Sequence, residues 1–378
     1  MRIAQVTYST KPRGGVVHTL NLAEALARRG HDVTVWTLGR GGDDAFFRPV
    51  DPAVDVRVVP FEPRDGEEVG RRIERSIETM RGAFDGAGFD VVHAQDCISA
   101  NAVGPAIRTI HHLDEFTTPQ LVACHDRAIR EPVARLCVSA AVAADVKAGW
   151  GIEPTVIPNG VDAGRFARAA GPDGQASRRR WTDELGEYVL ALGGIEPRKG
   201  SIDLVEAFAL LQSERPDVRL VFGGGETLFD YRSYRAGFDA RVESLGLDPV
   251  ILGVIDEDDL APLVAAASAL AFVSTKEGFG LAAMEALAAG VPVVARDLPV
   301  LREVFGGAVD YASSHTEIAA ALGRALAGGG VDPAEGRSLA ASHDWDDVAR
   351  LHEVFYERVG REGDHGAAID LQDPDRPR

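Results

Sequence analysis

Ser274-Thr275-Lys276-Glu277-Gly278-Phe279-Gly280-Leu281-Ala282-Ala283-Met284-Glu285 sets two carboxylates eight positions apart (285 − 277), with two glycines between them. The apolar run Ala269-Leu270-Ala271-Phe272-Val273 precedes it and reads as a strand. Gly290 and Pro292 are a C-cap and a breaker, so a helix should run from the glycine turn to about Ala289. Glu277 then sits on a strand-to-helix turn, and Glu285 one helical turn after Leu281. Glu285 shares a face with Ala288 and Ala289 and points toward an apolar side. A carboxylate there needs a partner, because an unpaired buried charge is costly. Ligand hydroxyls can provide one. The glycines let backbone amides approach an anion at the helix N-terminus, where the dipole favours negative charge. The combination points to a phosphorylated sugar. Either glutamate alone fits a tight turn with a capping acid better; it is the two together that favour the ligand site.

Alternating strands and helices surround this stretch. Ile3–Tyr8 is apolar and β-prone, Gly14-Gly15 lies in a loop, Val16–Arg29 has helical periodicity, and Val33–Trp36 is the next strand. Further strands are expected at 54–59, 91–93, 108–111, 136–139 and 155–158. A second series is expected at 188–192, 219–222, 250–252, 269–273 and 292–295. This order implies parallel sheets with helices on both faces. Residues 164–181, with Gly164, Gly171, Pro172, Gly174 and Arg178-Arg179-Arg180, read as a linker, although the arginines could equally begin a solvated helix. The expected organisation is a first domain over 1–163, a linker over 164–181 and a second domain over 182–342. An amphipathic helix over about 343–361 should come next, then an irregular tail over 363–378 rich in Asp, Pro, Gly and Arg.

At 378 residues and 45% apolar content, the chain can build two cores. The net charge of −18 argues against nucleic acid as a partner. No run of about 18 apolar residues occurs, so membrane contact is peripheral at most. Cys97, Cys124 and Cys137 have no metal-ligand spacing and read as reduced thiols of a cytoplasmic protein. Only four of the 40 basic residues are lysines, and Lys199 and Lys276 both fall in glycine-rich motifs. Arg71-Arg72-Ile73-Glu74-Arg75-Ser76-Ile77 with Met80-Arg81 is a basic amphipathic stretch that could rest on anionic lipid or simply face solvent.

Glu277-Gly278-Phe279-Gly280 followed by Glu285 resembles the glutamate-seven-residues-glutamate signature of glycosyltransferase family 4. The resemblance extends from Gly14-Gly15 to the helix near Trp345. It implies the GT-B fold, two doubly wound Rossmann-like α/β domains facing a cleft, and retaining transfer from a nucleotide-sugar. It assigns His111 and Glu277 to the reacting sugar. Lys199, in Gly193-Gly194-Ile195-Glu196-Pro197-Arg198-Lys199-Gly200, would bind the donor diphosphate. The family usually has arginine where this chain has Gly194, and Arg198 is the nearest spare guanidinium. Gly15, Gly278, Phe279, Gly280 and Leu281 would approach phosphate and sugar. Gly224 and Val254 would lie at the nucleotide, and Glu285 would hold the ribose. His93 would support the site. Val156–Asp162 resembles the interdomain segment.

The resemblance implies a nucleotide-sugar donor as a substrate and no cofactor. The acceptor is open; Lys11 and Arg13 beside Gly14-Gly15 would suit an anionic or lipid-linked one. No metal-binding aspartate pair follows a strand, and Asp256-Glu257-Asp258-Asp259 reads as a helix N-terminal run, so no divalent ion is expected. The rival readings are a nucleotide-sugar epimerase of the same fold and a catalytically silent sugar-nucleotide-binding module, which Gly194 keeps open.

Overall fold

A computed structural model describes residues 1–114, 116, 118–225 and 231–369, with side chains described to 361. The first domain runs β1 (Arg2–Val6), α1 (Gly14–Arg28), β2 (Asp32–Arg40), β3 (Val54–Phe61), α2 (Val69–Ala83), β4 (Val91–Ala94) and α3 (Cys97–Ala102). It continues with β5 (Ile107–Ile110), α4 (Pro119–Arg130), β6 (Ala134–Cys137), α5 (Ala140–Trp150) and β7 (Thr155–Val156). The second runs α6 (Ala163–Ala170), α7 (Gln175–Leu185), β8 (Tyr188–Leu192), α8 (Ser201–Glu214), β9 (Arg219–Gly223), α9 (Arg232–Leu245) and β10 (Val250–Gly253). Then come α10 (Glu257–Ala266), β11 (Ala269–Phe272), α11 (Leu281–Ala289), β12 (Val293–Arg296), α12 (Pro299–Phe305), β13 (Asp310–Ala312), α13 (His315–Leu326), α14 (Pro333–Ala341) and α15 (Trp345–Ile369).

Both sheets are parallel. Their orders are β3-β2-β1-β4-β5-β6-β7 and β10-β9-β8-β11-β12-β13. Each strand order reverses once, between β1 and β4 and between β8 and β11. Helices cover both faces, so central strands such as Tyr188–Leu192 and Ala269–Phe272 are apolar throughout. The doubly wound reading of both halves is therefore correct.

Three boundaries differ from expectation. Residues 164–181 are mostly helical: Phe166, Ala169 and Trp181 are buried in the second domain's core with Leu263 and Met284. The glycines mark the break between α6 and α7, and Arg180 binds Asp259 instead of facing solvent alone. A strand not expected, β13, pairs with β12. It is three residues long and starts on Asp310, which hides it from any periodicity test. The last helix runs on through Ile369, past Gly363 where an irregular tail was expected. Residues 370–378 lie outside the described residues.

α15 returns to the first domain. Trp345, Val348, Phe355 and Tyr356 join a core with Ile3, Leu20 and Leu26. Arg29, the C-cap residue just past α1, pairs with Glu353 at 2.6 Å. The interdomain turn at Gly160 packs directly on Trp345, where a Cβ would fall 2.6 Å from the indole.

The placement of α7 in the second core has a measurable consequence. Trp181→Ala should cost about 3–5 kcal/mol, as for other buried tryptophans. Urea unfolding followed by circular dichroism checks it; a loss under about 1 kcal/mol, normal for a surface change, would return 164–181 to the status of a linker.

Candidate active site

In open α/β sheets ligands gather at the carboxyl ends of strands where the order reverses. Here both reversals face one cleft. Gly15 follows β1 and Gln95 follows β4; Lys199 follows β8 and Glu277 follows β11. Residues spread over 262 positions (277 − 15) thus meet because two topologies coincide.

At the centre is Glu277. Its Oε1 accepts from Lys199 Nζ at 2.8 Å and from Arg198 Nη1 at 3.1 Å. Burial opposes its ionisation, but Lys199 and Arg198, with a hydrogen bond from Ser274, hold the carboxyl down at about 2. Expected as a ligand to the sugar, Glu277 is first of all the anchor for two cations. Arg198 also donates to the Lys276 carbonyl at 3.3 Å. The cluster carries two positive charges against one negative, a surplus of one.

Gly194 now has a physical explanation. A Cβ there would lie 2.5 Å from the Gly225 carbonyl oxygen and 2.9 Å from Glu196 Oε1. No side chain fits, so arginine is excluded at this position. Arg198 enters the same cluster from the next turn. Gly224 is packed similarly, a Cβ falling 2.5 Å from the Gly193 carbonyl carbon. Val254, beyond β10, is 60% exposed beside this turn. Glu226, the last residue of the glycine-turn motif, lies outside the described residues.

Gly278 shows the tightest approach. A Cβ on it would sit 1.6 Å from the His111 carbonyl oxygen, across the cleft. The loop after β11 is thereby pressed onto the loop after β5. Phe279 is buried and meets His343 edge-on, and Gly280 begins α11. Gly15 lies against the His111 ring, a Cβ there falling 3.5 Å from its Cδ2.

Burial, with the charges of His18, Arg108, His112 and His93 adding, keeps the His111 imidazole well below the usual histidine range. Its Nε2 is 3.1 Å from Gln95 Oε1. His93 lies one layer back, bonded to Tyr356 and Thr109.

Glu285 and Leu281 line a separate part of the cleft with Asp162, Arg165, Glu257 and Trp345. Glu285 has no hydrogen-bond partner among the described residues. Burial raises its carboxyl to about 8; Arg165 opposes the shift, and Glu257 and Asp162 add to it. Arg165 is held by Glu257, which opens α10, so Glu257 and Asp259 serve as partners for arginines of α6 and α7.

Residues 12–165 match the family description Glycosyltransferase Family 4, and residues 176–328 match Glycosyl transferases group 1. The chain belongs to glycosyltransferase family 4. It is 29% identical to a phosphatidyl-myo-inositol mannosyltransferase of Mycobacterium tuberculosis, over 80% of each chain. It is also 29% identical to a D-inositol 3-phosphate glycosyltransferase of Actinosynnema mirum, over 95% of this chain and 99% of that one. Sucrose-phosphate synthase from Thermosynechococcus elongatus has the same fold (TM-score 0.74, 20% identity, 95% and 99% covered). So does HepE from Anabaena in complex with UDP and glucose (TM-score 0.71, 19% identity, 94% and 99% covered). The fold is GT-B and the protein is a glycosyltransferase.

Several residues of this glycosyltransferase's site escaped the sequence reading. Gln5 and Gln95, at 0% and 1% exposure, and Tyr356, far along the chain, underlie His111. A polar residue within the apolar strand Ile3-Ala4-Gln5-Val6 was the available signal. His18 bonds Asn159 of the interdomain segment at 2.8 Å, an unflagged link between α1 and the hinge.

The Gly278 contact predicts a specific failure. Gly278→Ala should leave the thermal midpoint within a few degrees but force the cleft open. Transfer activity should drop by about a hundredfold, as for comparable misplacement of reacting groups. Small-angle scattering with an unchanged radius, together with full activity, would show that the approach is not needed for the working state.

Proposed function

We propose that this glycosyltransferase moves a sugar from a nucleotide-diphosphate-sugar to an acceptor hydroxyl with retention at the anomeric carbon. The observation that carries this is the Lys199–Arg198–Glu277 cluster, facing Gly15 and His111 across the cleft. The surplus charge and the amides at the start of α11 suit a diphosphate. His111 and Glu277 border the donor sugar, Val254 and Gly224 the nucleotide, and Glu285 the ribose. Neutralisation of the leaving diphosphate falls to Lys199, Arg198 and backbone amides, without a divalent ion. The chemistry rests on positioning and leaving-group stabilisation, so no dedicated protein base is required.

For the acceptor, the two relatives above are named for anionic inositol compounds. An anionic acceptor fits the cations near Gly14-Gly15, although Lys11 is paired with Asp43 at 2.8 Å and Arg13 lies 3.9 Å from Glu196. A cytoplasmic location fits the three thiols, all free. No described helix is long and apolar enough to cross a membrane. The basic stretch of α2 fits a solvated face better than a lipid-binding one. Arg75 pairs with Glu67 at 2.6 Å and Arg71 with Glu74 at 3.2 Å, which offsets much of its charge.

The direct test is transfer from a panel of nucleotide-sugars in the presence of EDTA, with the product anomer read by NMR. Activity that disappears and returns with magnesium or manganese would contradict the phosphate-binding scheme. An inverted product would contradict retention. Lys199→Ala should lower kcat/KM by about a hundredfold or more, within the range for losing one oxyanion-stabilising group, and Arg198→Ala by about tenfold, below that range because Lys199 remains in place. If Arg198→Ala is silent while Lys199→Ala is inactive, the guanidinium does not replace the arginine missing at Gly194.

Glu285 provides a pH signature. Its carboxyl keeps its proton up to about 8 when the site is empty. Ribose hydroxyls donate to the ionised form, so binding must release that proton at lower pH. Nucleoside diphosphate affinity should therefore rise between about pH 6.5 and 8 and level off above, by up to about tenfold per unit. Calorimetry should find the slope above about pH 7 abolished in Glu285→Gln. A wild-type profile already flat there would remove Glu285 from the ribose.

A further inference from the structure

Behind His111 runs a single file of buried hydrogen bonds. His111 Nε2 meets Gln95 Oε1 at 3.1 Å, and Gln95 Nε2 donates to Gln5 Oε1 at 2.8 Å. Gln5 Nε2 donates to the Tyr356 hydroxyl at 3.1 Å. That hydroxyl is 2.8 Å from His93 Nδ1, and His93 Nε2 is 2.7 Å from Thr109 Oγ1. Gln5, His93, Gln95, Thr109 and Tyr356 are all 2% exposed or less. The file starts at the cleft and passes through β4 and β1 to α15.

Such a file has a direction. Gln95 gives its amide N–H to Gln5, so its carbonyl must accept from His111, whose proton is then on Nε2. The Tyr356 hydroxyl accepts from Gln5, so it donates to His93 Nδ1, and His93 also carries its proton on Nε2. Turning one amide alone would set N–H against N–H, or oxygen against oxygen, in a sealed interior. Each unmatched buried group costs about 1–3 kcal/mol. The file can reverse only as a whole.

We propose that Gln95, Gln5 and Tyr356 are positioning residues that hold His111 in the Nε2–H form, so that its Nδ1 offers the donor sugar a hydrogen-bond acceptor and never a donor. Nδ1 has no partner among the described residues. This rests on the placement of His111 beside the sugar in the proposed function. The ring is flanked by His18 of α1, Arg108 and His112 of the β5 segment and His93 of β4, all of which oppose its protonation. His352 of α15 adds to the same effect at His93. Tyr356 makes the crossover helix part of the site without touching substrate.

The test is ring nitrogen NMR on uniformly 15N-labelled full-length protein at about pH 7.5, with His111 and His93 assigned through His111→Gln and His93→Gln. Both rings should show a protonated Nε2 and a bare Nδ1. In Gln95→Glu the carboxylate accepts from both sides, so the Gln5 amide must turn and Tyr356 must donate to it. His93 should then move its proton to Nδ1, while His111 keeps Nε2–H. Should that variant fail to fold, Tyr356→Phe breaks the file with little change of shape. Both rings should then become tautomer mixtures, and kcat should fall roughly ten- to a hundredfold, in the range for misplaced reacting groups, with donor KM within about twofold. Wild-type His111 protonated on Nδ1, or single unchanged tautomers in Tyr356→Phe, overturns the proposal. If the tautomers are as stated but His111→Gln transfers sugar like wild type, the placement of His111 beside the sugar fails and the file stands.

Discussion

The contact of Gly278 with the His111 carbonyl oxygen is the constraint on which the rest of the cleft depends. A residue with any side chain would separate the loops after β11 and β5. With glycine there, cations from the second domain come to the edge of the first, and Asp114 beyond β5 contributes to the field around Arg198. Two other links flank this contact. Arg13 faces Glu196, and the Glu303 carboxylate accepts from the Ala140 and Ala141 amides at 2.6 and 2.8 Å. Those amides open α5, where the helix dipole favours an anion. The closed arrangement therefore uses one steric permission and two electrostatic contacts, and only the first is irreplaceable by rotamer changes.

Electrostatics explains why the cations are clustered so tightly. The chain carries a net charge of −18, so its distant field repels an anionic donor. Attraction must be built at short range, where screening and the remaining charges matter less. Placing Lys199 and Arg198 on a single buried carboxylate does this. Glu277 orients both heads, lowers their mutual repulsion and leaves a surplus of one positive charge. Breaking such a buried set by removing one partner is costlier than the set's net stabilisation, which ties the geometry of the site to the stability of the fold.

The fold was legible where burial writes itself locally. Buried parallel strands read as short apolar runs, and the expected strands all have counterparts. The Glu277–Glu285 spacing and the Gly193–Gly200 loop were legible because each is one strand-to-helix turn. What was hidden depends on distance along the chain or on missing atoms. Gln5 and Tyr356 are 351 positions apart, and no local pattern joins them. Gly278 looked like a ligand-approach glycine and Gly194 like a lost arginine; the stronger reason at each is a neighbouring carbonyl that no sequence displays. Residues 164–181 read as a linker because Gly164, Gly171, Pro172, Gly174 and the run Arg178-Arg179-Arg180 break any apolar pattern, while Phe166 and Trp181, which decide the packing, are only two residues.

The two glutamates of the signature illustrate how environment divides identical side chains. Both are removed from bulk water, and burial raises both. At Glu277, Lys199 and Arg198 overcome that penalty, and the carboxyl is held at about 2. At Glu285 the opposing cation is Arg165, which is already engaged by Glu257, and two acids face the same space. The carboxyl therefore stays protonated to about 8. A permanently charged group suits the task of holding permanent charges in place, since it does not relax when a ligand leaves. A neutral carboxyl lining a cavity suits an exchangeable polar partner, because leaving it empty does not strand a charge. The eight-residue spacing secures this division: it puts one glutamate on the turn, within reach of the β8 loop, and the other a helical turn deeper, against α6 and α10.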